Sequence, residues 1–294
     1  MTDVPRNPPE FEGRTLPRPQ DDLDEQGLGF DVVTVLTRRR ALGVLGLGLS
    51  GTGLVACSDD ELAAAPATGR GAGGTSATIA EIPAEIAGPF PGDGSNGLNV
   101  LQRSGVVRGD IRSSFEISAT TAPGIPLTLT LTVLDLTRGG VPFAGAAVYA
   151  WQCDREGRYS LYSPELKGEN YLRGVQVAAA DGTVTFTSVF PGCYTGRWPH
   201  VHFEVYADLA AIDDSADALT TSQLALPEAD CTAVYATTGY ERSAVELAGV
   251  TLADDLVFRD DLGVRQLATV TGDPGDPGDV AAGCTATLTV GVGR

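Results

Sequence analysis

Histidine is almost missing from this chain: there are two in 294 residues, His200 and His202, standing two apart. Methionine occurs once, tryptophan twice, and aromatic residues make up only 6%. Cationic side chains are scarce as well, 20 Lys and Arg against 38 Asp and Glu, giving a net charge of −18. Nucleic acids and anionic membrane surfaces repel such a surface, so both are excluded as partners on charge. Between residues 126 and 206 no sustained apolar pattern of helical period occurs, which argues against a helical bundle. There is no C-x-x-C spacing, which removes the usual thiolate zinc site. The one long apolar run, Ala41 to Ala56, is about 16 residues, short of the ~20 that a spanning helix needs.

What is present points to strands. Glycines number 37 and prolines 18, with short β-branched runs between them. "PLTLTLTVLDL" (126–136) alternates Leu with Thr, the period of a strand with one buried face. "AGAAVYAWQCD" (144–154), "GTVTFTSVF" (182–190), "HVHFEVY" (200–206) and "CTATLTVGV" (284–292) read as further strands, punctuated by Gly, Pro and Asp turns. The expected fold is an all-β sandwich over residues 98–294, with short helices within 208–248.

The first 97 residues read differently. Residues 1–36 are rich in Pro, Asp and Glu and are expected to be disordered. Residues 37–57 have the build of an export signal: Arg38, Arg39 and Arg40 precede the apolar run, which ends in "LVAC" at Cys57. The paired arginines resemble a twin-arginine signal, and "LVAC" resembles a lipobox whose cysteine becomes lipidated. The 36 residues ahead of the arginines are long for such a signal, so initiation near Val32–Val35 is an alternative to Met1. Residues 58–97, rich in Ala, Gly and Thr, are expected to be a flexible linker. This reading gives an exported, extracytoplasmic protein held to the membrane by a lipid anchor alone. Four cysteines remain, Cys153, Cys193, Cys231 and Cys284, and outside the cytoplasm an even number suggests disulfides, with three possible pairings.

In a strand, residues i and i+2 share a face, so His200 and His202 project together with Val201 opposite. Alone, H-x-H fits either metal chelation or surface polarity. Tyr194 lies six residues upstream, after Pro191-Gly192, and Tyr159 follows a second glycine turn in "DREGRYS". A phenol has its pKa near 10 and must lose its proton to bind a metal. A hard, highly charged cation such as Fe(III) drives that loss. Tyr162 and Tyr171 read as amphipathic packing, as do Trp151 and Trp198. Asp154 and Glu204 read as solvated carboxylates.

The block "PFAGAAVYAWQCDREGRYS…NYLRGVQVAAADGTVTFTSVFPGCYTGRWPHVHFEVY" closely resembles the intradiol ring-cleavage dioxygenases. It is most similar to the exported, protocatechuate 3,4-dioxygenase-like subgroup. The resemblance runs from about Val107 to the C-terminus and is densest over 142–206, where P-G-x-Y…R-x-x-H-x-H is the specific element. It implies one non-haem Fe(III) held by Tyr159, Tyr194, His200 and His202. It further implies a pocket role for Arg197 and, through a weaker match, for Gln223. The implied reaction opens a catechol between its two hydroxyls with O2 to give a cis,cis-muconate, with Tyr194 taking a substrate proton and Arg197 stabilising charge on the ring. The other reading is an extracytoplasmic transthyretin-like binding module with a non-catalytic metal site.

The chain departs from the family pattern at Gln152, where relatives often have histidine, and in "SQLALP", which is less aromatic. Residues 58–97 carry no heptad pattern matching the helical dimerisation segment of catechol 1,2-dioxygenases. If Tyr159 and Tyr194 bind one ion, their turns must approach each other. On that basis a disulfide is expected between Cys153 and Cys193, leaving Cys231 to pair with Cys284.

Overall fold

A computed structural model describes residues 79–272 and 283–293, plus a two-residue ladder pairing Glu10–Phe11 with Arg14–Thr15. That ladder apart, the expectations for residues 1–36, the signal at 37–57 with Cys57, and the linker up to residue 78 lie outside the described residues. Among the described residues no helix is long and apolar enough to cross a membrane.

The strands are β1 (Pro126–Asp135), β2 (Val141–Pro142), β3 (Ala147–Trp151), β4 (Arg173–Val177), β5 (Thr183–Val189), β6 (His200–Tyr206), β7 (Thr220–Ala225), β8 (Thr269–Thr271) and β9 (Cys284–Val292). Two short helices, α1 (Glu228–Tyr235) and α2 (Glu241–Leu247), sit between β7 and β8. One sheet centres on β1, which pairs in parallel with β9 and antiparallel with β5 and β2. The other is fully antiparallel in the order β4-β3-β6-β7.

The Leu/Thr alternation of β1 explains its place. Leu127, Leu129, Leu131 and Val133 are all buried between the sheets, each contributing roughly 1.5–3 kcal/mol, while the threonines between them are partly exposed. Val184 and Phe186 of β5, Ala286 and Val290 of β9, and Val201, Phe203 and Val205 of β6 complete that core.

An antiparallel sheet commonly leaves one face in water. Here β6 is buried along its whole length. Its outer face, His200, His202, Glu204 and Tyr206, lies beneath a strap formed by residues 82–106. Residues 79–97 therefore depart from the expected flexible linker, and the described fold includes them ahead of residue 98. The reason is backbone pairing and burial. The Ile82 amide donates to Gly291 O (2.9 Å) and the Glu85 amide to Thr221 O (2.7 Å). Ile82 joins the inter-sheet core, and Ala87, Phe90, Val100 and Leu101 pack with Tyr149, Trp151 and Tyr159 in a second one.

Candidate metal centre

Two turns and one strand build the site. The first turn carries Tyr159 and is organised by Asp154. Its Oδ1 accepts the amides of Glu156 (2.9 Å) and Arg158 (3.0 Å), and its Oδ2 accepts the Arg158 guanidinium. Asp154 and Glu204 are both 2% exposed or less, a correction to their expected solvation. The second turn, 191–197, carries Tyr194. Glycine lets the two turns touch: at Gly157 (φ +82°) a Cβ would lie 2.5 Å from Cys193 O. Behind the first turn stands Arg173, fully buried, donating to Ser160 O (2.9 Å), Ser160 Oγ (3.0 Å), Phe90 O (2.9 Å) and Pro91 O (2.8 Å).

The side chains converge on His200 Nε2. Tyr159 Oη lies 3.5 Å from it, Tyr194 Oη 3.4 Å, and His202 Nε2 3.0 Å. All four residues are buried. His200 Nδ1 faces the Trp198 carbonyl, at 2.5 Å. A carbonyl only accepts, so Nδ1 carries the proton and Nε2 turns its lone pair inward. His202 stacks on Trp151 (4.8 Å, 6°), and its Nδ1 has no hydrogen-bond partner. Burial first, and then Arg197, pushes the His200 pKa down to about 3. Burial, then His200 and Arg197, pulls His202 down as well. Burial followed by Tyr194 drives the Tyr159 phenol up. The cluster thus sets two uncharged imidazoles face to face, with two tyrosine hydroxyls beside them. That donor set fits a hard cation able to ionise the phenols. Among the described residues no group of three or more His, Cys, Asp or Glu is placed to hold a metal ion, so a site here must draw on the tyrosines.

Arg197 reaches the cluster through Nη1, 3.4 Å from Tyr194 Oη. Its Nε donates to Asp255 Oδ2 (2.9 Å) and its Nη2 to Gln223 Oε1. Gln223 pairs across the sheet with His202 and donates from Nε2 to Ile86 O (3.0 Å).

A dioxygenase family model matches residues 111–218, a span that contains Tyr159, Tyr194, Arg197, His200 and His202. A chlorocatechol 1,2-dioxygenase of Rhodococcus opacus is 32% identical over 105 residues, covering 29% of this chain and 40% of that protein. The matched segment is similar to the ring-cleaving dioxygenases. In fold, it resembles an intradiol ring-cleavage dioxygenase from Tetranychus urticae, at TM-score 0.51 and 24% identity, over 65% of this chain and 88% of that one. The chain spans two fifths (40%) of the length of the Rhodococcus relative.

Tyr162 stands apart from the cluster. Its hydroxyl accepts from the Gly92 amide (2.8 Å) and donates to Asn96 Oδ1 (3.0 Å). Gln152 also turns away, donating to Val189 O (2.8 Å) and accepting from Ser188 Oγ (3.0 Å). The cysteines call for a correction. Cys153, Cys193, Cys231 and Cys284 are free and buried, so the expected disulfides are not formed. Cys153 Sγ points to Gly192 O (3.5 Å) and Cys193 Sγ to Arg197 O (3.3 Å), so each thiol is taken up by a backbone carbonyl of the Tyr194 turn. Sequence reasoning missed Asp255, which reaches the site from 58 residues away. The signal was an acid pair, Asp254-Asp255, inside the apolar stretch "VTLADDLVF".

Proposed function

We propose that this protein is a non-haem Fe(III) intradiol dioxygenase that cleaves a catechol-type ring with O2 to a cis,cis-muconate. The observation carrying the reading is the convergence of Tyr159, Tyr194 and His202 on His200 Nε2 within 3.0–3.5 Å. Tyr159, Tyr194, His200 and His202 would hold the iron. Bound there, ferric iron supplies Lewis-acid chemistry that activates a chelated catechol toward O2.

The chain's own residues do the rest. Tyr194 Oη, 3.4 Å from Arg197 Nη1 and ionised once it serves as a metal ligand, would take a proton from an incoming catechol hydroxyl. Arg197, fixed on two sides by Asp255 and Gln223, meets negative charge that grows on the ring without first having to reorient. The strap excludes water, with Phe90 stacked on Tyr159 at 4.6 Å. The binding-module alternative is not favoured, because the donor set and Arg197 are all present on a dioxygenase-matched segment. Iron-loaded full-length protein should consume O2 with at least one of catechol, chlorocatechol, protocatechuate or hydroxyquinol. No uptake with any of them would overturn the reading.

The N-terminal segment supports a proposed site of action. Arg38 and Arg39 would direct export, and lipidation at Cys57 would hold the domain on the outer face of the membrane. The Cys57→Ala variant should stay unprocessed and take no lipid label; a labelled variant would refute the lipobox.

A further inference from the structure

We propose that Asp255 is the positioning residue of this centre: one buried carboxylate that sets both the Arg197 guanidinium and the imidazole of His200. The inference rests on the reading above for what those two residues do, but its geometry stands by itself.

Asp255 is 0% exposed, and both of its oxygens are fully engaged. Oδ2 accepts from Arg197 Nε (2.9 Å) and from the Trp198 amide (2.7 Å). Oδ1 accepts from the amides of Val257 (2.8 Å) and Phe258 (3.2 Å). Four N–H donors fill four lone-pair positions. Two of those contacts point at the site and two anchor the carboxylate to its own turn. The Trp198 backbone links the two, since its N–H is held by Asp255 and its C=O, on the next peptide plane, accepts from His200 Nδ1. The tryptophan ring is tied down separately, Nε1 donating to Leu226 O (2.8 Å). Asp255 thus decides which His200 nitrogen carries the proton and which edge of Arg197 turns to Tyr194.

A buried ion pair contributes little net stability compared with apolar residues of the same shape. It does supply orientation. Asparagine has nearly the shape of aspartate but cannot replace it here. Whichever way the amide lies, its NH2 group faces two N–H donors.

The test uses the untagged full-length chain, in which two histidines give two imidazoles. Nitrogen-15 spectra of the iron-free protein should show His200 as the Nδ1-protonated tautomer. In Asp255→Asn that signal should shift or split between tautomers. In the iron-loaded variant, kcat/KM per iron for the catechol that wild type consumes should fall roughly ten- to a hundredfold. Asp254→Asn is the control. Asp254 is exposed and accepts from Thr251 Oγ1 (2.6 Å), so this variant should match wild type in both readouts. Asp255→Ser, which keeps one acceptor oxygen, is read by the same criteria if the asparagine variant does not accumulate folded. A folded Asp255 variant with wild-type imidazole signals overturns the proposal whatever its activity. So does a shifted imidazole with wild-type kcat/KM. Wild type that is inactive on every catechol, with the variant's imidazole shifted as expected, overturns the functional reading and leaves the positioning role standing.

Discussion

Replacing Gly157 with alanine asks directly whether the two tyrosine-bearing turns touch. Gly157 has φ +82°, and a Cβ there would lie 2.5 Å from Cys193 O and 3.0 Å from Tyr194 Cβ. The left-handed backbone costs a non-glycine residue roughly 1–2 kcal/mol. Forcing the methyl into a filled space adds ~1–3 kcal/mol. The sum is about 2–5 kcal/mol. Gly139 provides the reference: it has φ +81° with nothing within 4 Å of its Cβ position, so Gly139→Ala should cost only the backbone term of roughly 1–2 kcal/mol. The difference between the variants isolates the contact between the turns. Urea unfolding of the iron-free proteins, followed by fluorescence of Trp151 and Trp198, measures it through the midpoint at constant slope. Gly157→Ala should also bind iron more weakly, since relieving the clash moves Tyr194 away from Tyr159. Equal midpoints for the two alanine variants, with iron binding intact, would refute the packed-turn geometry.

Iron-loaded protein should absorb in the visible through tyrosinate-to-iron charge transfer. Tyr159→Phe and Tyr194→Phe should each change that band, and Tyr162→Phe should not; an unchanged band in Tyr159→Phe would remove Tyr159 from the ligand set. Stability of the iron-free protein should be bounded on both sides in pH. His200 is pushed down to about 3 from an ordinary value of 6.5, so its contribution is present above pH 6.5 and is lost on acidification toward 3, by about 1.4 kcal/mol per pH unit at most. Glu204, facing Asp93, Tyr206 and Thr221, is pushed up to about 8 from 4.5, by burial first and then by Asp93. Its contribution is present below pH 4.5 and is lost as pH rises toward 8, so Glu204→Gln should flatten the decline between pH 6.5 and 8 in denaturation midpoints. Protein unfolded in iodoacetamide without reductant should be labelled at Cys153, Cys193, Cys231 and Cys284; protection of any two would mean a disulfide.

The parts legible from sequence were those with local periodicity. The Leu/Thr alternation of β1 and the H-x-H of β6 each state a face outright, and both faces lie where the alternation puts them. Strand β4 was missed because "RGVQV" is short and holds Gly174, and β7 because "TTSQLA" shows no clean alternation. Residues 79–97 read as a tether from composition alone, since their hydrogen bonds run to strands far along the chain. Asp154 and Glu204 looked like surface charges because a carboxylate's partners are set by the fold. Asp154 is satisfied by the amides of its own turn and Glu204 by Tyr206 and Thr221. Asp255 belongs to the same class, and only its place in an apolar run hinted at burial.

The most direct test of the central claim is the mass of the product formed under 18O2 by the iron-loaded protein from whichever of catechol, chlorocatechol, protocatechuate or hydroxyquinol it consumes. The geometry at Tyr159, Tyr194, Arg197, His200 and His202 predicts the corresponding cis,cis-muconate carrying both oxygen atoms of one O2. A ring opened outside the two hydroxyls, or all four catechols recovered intact from an iron-loaded and folded protein, would contradict it.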